Sequence, residues 1–368
     1  MKKAITSFIL LAAGYLLSGN SAVAQQTQKL TAAKHNDFGI TYSLPITHFD
    51  IKVNGEVVTR TAGQFYKYSK KYLGIDNPIT EDSKELVIES VTVTPYGVPD
   101  ANNQYLMQFK KGSPSLYLDK NGLPLCLNID PESDKTVIAE TVYEKPAMNK
   151  QQLITATASA LPGELLVSES TAKKAELAAQ TIYKIRESRT AYITGEADQM
   201  PPDGEALKVT LAQLDQQEAA LMALFIGTTT TEQVSYNFDF VPEGEINNKI
   251  IFRLSNYDGL VDKNDLAGAP VYATLKITQK GEIPVDEKGV EKKLPKGAVM
   301  YTIPGEALFT LNYEGKEIYS KKIQVAQFGI QYGLDPVIFT DKKAPSYVIF
   351  YPETGAIKEI GTLEVQQQ

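Results

Sequence analysis

The chain states one stretch of itself twice, and that duplicated β pattern most narrows the folds open to it. Tyr42 opens "YSLPITHFDIKVNGEVV" and Tyr301 opens "YTIPGEALFTLNYEGKEIY". Tyr42 and Pro45 match Tyr301 and Pro304; one inserted residue later, Phe49, Ile51, Val53 and Gly55 match Phe309, Leu311, Tyr313 and Gly315. The matched apolar residues stand two apart, the period of a strand with one buried face. The glycines then fall where a hairpin is expected to turn. Further on, "AGQF" (Ala62 to Phe65) has a looser counterpart in "VAQF" (Val325 to Phe328). Lys110, Lys111, Pro114 and Ser115 correspond to Lys342, Lys343, Pro345 and Ser346, and Asn121-Gly122 and Thr354-Gly355 close similar hairpins. The order of the matches is kept throughout. Residues about 73–105 of the first copy have only a short equivalent in the second. The pattern predicts two divergent β units. One lies within 37–150, and the other, at about 301–362, lies inside a C-terminal β region over 232–365.

Between the copies the pattern changes. Ser170 to Gly195 is rich in Ala, Lys, Glu and Gln, which favour helix, with Ala175, Ala179, Ile182 and Ile185 as an apolar stripe. A second helix is expected from Asp203, a natural N-cap after Pro201-Pro202, to Gly227, a natural C-cap. Its stripe is Leu207, Leu211, Leu214, Leu221 and Phe225, interrupted by Glu218. Two such helices, each about 35 Å long, form an antiparallel hairpin over 168–227. Arg186 and Arg189 lie on the partner helix within reach of Glu218, where a charge-assisted pair fixes helix register. The fold class is therefore mainly β, α+β overall. Two divergent β-sandwich-like units are expected, with a long antiparallel helical hairpin between them.

The N-terminus reads as an address. Lys2 and Lys3 precede an apolar run from Ile5 to Leu17, and Ala22-Val23-Ala24 has the small residues of a signal-peptidase site. Residues 1–24 are expected to be a signal peptide cleaved after Ala24, followed by a flexible leader over 25–36. The run is too short for a membrane anchor, and no cysteine near the cleavage site allows lipidation. The predicted location is the periplasm or cell surface of a Gram-negative bacterium, with no integral membrane segment after signal removal. The formal charge of −7 becomes more negative once Lys2 and Lys3 are gone, which argues against nucleic acid as a partner. Cys126 is the only cysteine, so no disulfide can form within the chain. Set among leucines in "GLPLCLNI", it reads as a buried small hydrophobe.

Known catalytic and cofactor signatures are missing. The chain has no H-E-x-x-H, C-x-x-C, G-x-S-x-G or G-x-x-x-x-G-K, and its two histidines, His35 and His48, read as surface imidazoles. No cofactor, metal site or catalytic residue is assigned. A hydrolase working through two carboxylates needs no local motif, but nothing in the sequence picks out a pair. The lack of tryptophan weakens a sugar-stacking role. "NYDGLVDKNDLAG" gathers Asp258, Asp262, Asn264 and Asp265, yet the EF-hand spacing is not met and an acidic turn is expected. In "FYKYSKKYL", Phe65, Tyr68 and Tyr72 would share one helix face. Lys67, Lys70 and Lys71 then face outward; an amphipathic turn packed on the sheet is expected, with a small basic, aromatic patch for an anionic envelope polymer as the alternative.

Several segments resemble a known family: "GITYSLP", "GQFYKYSKKYLG", "YGVPD", "IYKIRESR", "PPDGEAL", "VAQFG" and "FYPETGAIK". They are similar to an uncharacterised exported family of Bacteroides-type bacteria, domain of unknown function 4831. The resemblance implies a location outside the cytoplasm and carries no activity, cofactor or site. The expected function is that of a non-enzymatic binding or scaffold protein of the cell envelope, with an envelope protein or polymer as partner. The alternatives are a carboxylate-dependent hydrolase with a cleft between β units, and a strand-exchanging surface subunit.

Overall fold

The computed structural model describes residues 27–29, 39–108, 114–131, 170–341 and 344–363. The expected signal peptide and its cleavage point after Ala24 lie outside the described residues. So do His35, the Lys110-Lys111 and Lys342-Lys343 matches, and residues 132–169, which include the ends of the expected N-terminal unit and of the hairpin.

Three antiparallel sheets carry the molecule. In the first, β1 (Thr27–Lys29), β2 (Gly39–Thr61), β3 (Ser83–Gln108) and β6 (Thr228–Phe240) run in the order β1-β3-β2-β6. The second contains β7 (Ile246–Ser255), β8 (Gly259–Val261), β9 (Ala269–Gln279), β10 (Val299–Tyr313) and β11 (Lys316–Leu334), ordered β11-β10-β9-β7-β8. The third joins β4 (Leu116–Leu118), β5 (Pro124–Leu127), β12 (Ser346–Tyr351) and β13 (Ala356–Thr362) in the order β13-β12-β5-β4. The expected leader over 25–36 thus contains a short strand, Thr27–Lys29, paired with Tyr105–Met107 of β3.

The duplication has a direct structural meaning. β2 and β10, the strands of the matched motifs, each lie between two partners. Copy one has β3 and β6 beside β2; copy two has β11 and β9 beside β10. The two sets face each other as opposite sheets of one sandwich. Phe49, Ile51 and Val53 from one side and Ala307, Phe309 and Leu311 from the other are buried in a shared core. Burying each large apolar side chain contributes about 1.5–3 kcal/mol. Phe49 and Phe309, matched in sequence, also meet in space, with ring centroids 5.1 Å apart. Tyr42 closes the other end: its buried hydroxyl accepts from Met300 N at 2.8 Å and donates to Met300 O at 3.2 Å. Around it a second core holds Leu44, Tyr105, Met107, Val299 and Leu334 against Leu116, Leu127, Val348 and Phe350 of the third sheet. Cys126 is buried in that sheet, on β5, and pairs with Ile349 of β12.

Two details of the expected duplication are corrected. Gly315 does turn: Glu314 and Gly315 both have positive φ, 49° and 76°, the two-residue connection that suits strand twist. Gly55 does not. It lies inside β2 at a bulge, where Asn54 pairs with Ser90 but Gly55 pairs with Ile88. There a Cβ would stand 2.3 Å from Val87 O, so glycine is required for close approach rather than for a turn. Nor is 73–105 an insertion. Most of it is β3, which pairs with β2 as β11 pairs with β10. The part without a counterpart is the connection over 62–82. The "AGQF"–"VAQF" match therefore falls apart in space: Phe65 enters the helical core and Phe328 the sandwich core.

The connection carries a 3-10 turn (Tyr66–Tyr68) and α1 (Ser69–Leu73). It receives the helical hairpin of α2 (Thr171–Thr194) and α3 (Gly204–Ile226). Asp203 caps α3 by accepting from Ala206 N at 2.8 Å. Phe65, Ala175, Ala178, Ala179, Ile182, Ile185, Leu221 and Phe225 form a third core at the hairpin base. Phe65 N donates to Leu224 O at 2.6 Å and Ile79 N to Ile226 O at 2.9 Å, binding the connection to the end of α3. Since α3 runs into β6, the hairpin is anchored to the edge of the first sheet. Among the described residues no helix is long and apolar enough to cross a membrane.

Candidate functional site

The helical hairpin changes character along its length. Its base half is packed, but between Arg186 and Ala219 no residue is fully buried. An ion-pair cluster sits where the apolar core gives out. Arg186 Nε donates to Glu218 Oε1 at 2.6 Å, Arg189 donates to the other oxygen of Glu218, and Arg189 also reaches Asp215 at 2.8 Å. Glu218 is the most enclosed member, with its side chain 13 % exposed. The spacing explains the geometry: Arg186/Arg189 and Asp215/Glu218 are both three apart, so each pair lies on one helix face. Asp215 was not singled out from the sequence, although its spacing from Glu218 mirrors that of the two arginines. Arg189, Asp215, Glu218, Ala219 and Met222 line a shallow depression beside the cluster. Both oxygens of Glu218 are bonded to arginine, and Asp215 is bonded to Arg189 through Oδ1.

Beyond the cluster the hairpin presents apolar groups to water. Ile193 is 67 % exposed, Met200 47 % and Val209 56 %. They flank a loop bearing Glu196, Asp198 and Asp203 and the Pro201-Pro202 pair.

The three lysines of the connection stand at the opposite end of the hairpin. Lys67 lies over the Tyr66 ring at 5.7 Å and Lys71 over Tyr72 at 4.9 Å, while Lys70 pairs with Asp76 at 2.7 Å. Tyr68 and Tyr72 pack on the helical core and not on the sheet, so the turn is amphipathic but faces the hairpin. With each ammonium held by a neighbour within the connection, the three do not converge on one point.

His48 belongs to a polar cluster that no local sequence pattern announces. On the outer face of the first sheet, His48 Nδ1 approaches Asp239 at 3.1 Å, and Tyr96 donates to Asp239 Oδ1 at 2.9 Å. Burial, followed by the hydrogen bond to the Asp239 carboxylate, pushes the Tyr96 hydroxyl up to about 12. The three residues come from β2, β3 and β6, so only strand register reveals the grouping. Tyr96 and Asp239 are both exposed, so a neutral phenol held by a carboxylate there makes a surface network.

The acidic loop spends its oxygens locally. Asp262 accepts from the backbone and side chain of Asn264, Asp265 from Ala267 N, and Asp258 from Ser255. Among the described residues no group of three or more His, Cys, Asp or Glu is placed to hold a metal ion. Cys126 donates to Ile129 O, and burial together with Asp130 pushes its thiol up to about 11.

An antiparallel sandwich built from a duplicated hairpin, with an anchored helical projection, defines the class of protein by its architecture rather than by a catalytic centre. The family described as Domain of unknown function (DUF4831) matches residues 38–358, and the chain belongs to it. No curated protein and no solved structure matches it.

Proposed function

We propose that the protein is an extracytoplasmic component of the cell envelope that binds or organises another macromolecule, with the outer half of the helical hairpin as its contact element. One observation carries the reading: the hairpin extends past its own packed core, and its far end displays Ile193, Met200 and Val209. Solvent-exposed apolar groups at the end of an anchored projection have no internal work to do. The signal-peptide pattern at residues 1–24 supports export, and the acidic formal charge argues for a protein partner over nucleic acid or an anionic membrane surface.

A photo-crosslinking residue at Val209 tests this in the native envelope, with the same probe at exposed Thr92 of β3 as control. Adducts are expected from Val209 and not from Thr92. The proposal is overturned if probes at Val209, Ile193 and Met200 all yield no adduct from a correctly exported protein.

A further inference from the structure

The chain holds two Asn-Gly pairs, Asn54-Gly55 and Asn121-Gly122, and the fold treats them oppositely. Such a pair carries a latent reaction. The glycine backbone nitrogen attacks the asparagine Cγ, since glycine has no Cβ to crowd the approach. The N–Cγ bond forms, the Cγ–Nδ2 bond breaks, and ammonia leaves behind a five-membered succinimide. Water then opens the ring at either carbonyl. One opening gives aspartate; the other gives isoaspartate, in which the main chain runs through the former side chain. Water is the only co-reactant, and the rate depends on how freely the nitrogen and Cγ meet.

Asn54 is held away from that geometry. It pairs with Ser90 of β3 on one side and with Ser235 of β6 on the other. Its Nδ2 donates to Ser90 Oγ at 3.3 Å, and its Oδ1 accepts from Ser235 Oγ at 2.8 Å. Gly55 has no room to move, with Val87 O at 2.3 Å from where a Cβ would stand. Asn121 is exposed, in the turn over 119–123 that joins β4 to β5. Its Nδ2 makes a long 3.4 Å contact with Asp119, and the space about Gly122 is open. The attacking nitrogen is held by a turn bond, from Gly122 N to Asp119 O at 3.1 Å, which a local opening releases. The same turn ties the third sheet to the first. Ser43 N of β2 donates to Gly122 O at 3.0 Å, and buried Leu123 lies against Gly97 of β3.

We propose that Asn121-Gly122 is a site of spontaneous deamidation, and that its isoaspartyl product loosens the β4–β5 turn from β2. Isoaspartate adds one carbon to the main chain just before Gly122, which shifts the carbonyl that Ser43 holds.

The test compares folded protein with the same protein in denaturant, both aged at mildly alkaline pH and mapped by peptide mass. In the folded protein Asn121 should convert about tenfold or more faster than Asn54, because only its turn opens locally. In denaturant both should convert at similar rates. Asn121→Gln should keep the acidic form from appearing in folded protein, since its ring would need six members and closes far more slowly. The isolated isoaspartyl form should melt below Asn121→Asp, which carries the same charge on an ordinary backbone. Equal conversion of Asn54 and Asn121 in folded protein overturns the proposal. So does an Asn121 that stays amidated in folded protein while the denatured chain converts it. An isoaspartyl form that melts together with Asn121→Asp overturns the loosening of the turn.

Discussion

Glu218 occupies the place in α3 where the apolar stripe of Leu214 and Leu221 calls for another leucine. It is largely enclosed and bonded by two arginines that are themselves partly exposed. Glu218→Ala loses both bonds and leaves a gap in the stripe, although Arg189 keeps Asp215 and both arginines reach water, and is expected to cost about 2 kcal/mol in urea unfolding. Glu218→Leu fills the stripe while the arginines turn to water, and should stay within about 1 kcal/mol of wild type. If the leucine variant is as damaged as the alanine variant, the pair does more than bridge two helices. Cys126 offers a second residue-scale check. With its thiol pushed up to about 11 by burial, hardly any thiolate is present at pH 8, and access is closed as well. A thiol reagent should leave native protein unlabelled and modify Cys126 as the chain unfolds.

At the scale of elements, the two matched glycines should fail differently. Gly55→Ala drives a Cβ into the Val87 carbonyl and should cost about 1–3 kcal/mol through backbone displacement. Gly315→Ala meets no atom but must hold a left-handed φ of 76°, for about 1 kcal/mol. Thermal melts of the two variants separate these costs. The contrast also explains what could be read from sequence. A bulge glycine and a turn glycine follow the same alternation of apolar residues, so the motif alone assigned both to turns. β3 was hidden for a related reason: Pro95, Gly97 and Pro99 look like a loop, and only pairing with β2 from Pro45 to Phe49 shows them in a strand. The helices were legible because their signals are local. Asp203, Gly195 and Gly227 sit at the caps and the stripes repeat within one element. The register pair Arg186–Glu218 followed from those stripes, whereas the His48–Tyr96–Asp239 cluster needs three strands in register and leaves no local trace.

For the whole molecule, duplication sets how stability responds to pH. The copies meet through aromatic residues, and the phenols trapped near that meeting cannot ionise freely. Burial raises the hydroxyls of Tyr42, Tyr105, Tyr236, Tyr301, Tyr313 and Tyr319 above their usual value of 10.0; on the outer face of the first sheet, burial and the bond to Asp239 push Tyr96 to about 12. In the unfolded chain these groups lose their protons near pH 10. Above that point the folded state binds more protons than the unfolded one, so raising pH favours unfolding. The contribution of each raised tyrosine is complete below pH 10 and is lost as pH climbs through its folded value. Urea midpoints should therefore hold steady from about pH 8 to 9.5 and fall steeply from about pH 10 to 12. Phenolate absorbance should lag behind that of the chain in denaturant until the fold gives way. Tyr42→Phe separates the sources. It removes the acceptor of Met300 N and lowers stability at pH 8 by about 1–3 kcal/mol, while making the alkaline fall shallower, because one fewer proton distinguishes the two states. An unchanged slope in that variant would mean that the Tyr42 phenol is not what couples the joined copies to alkaline pH.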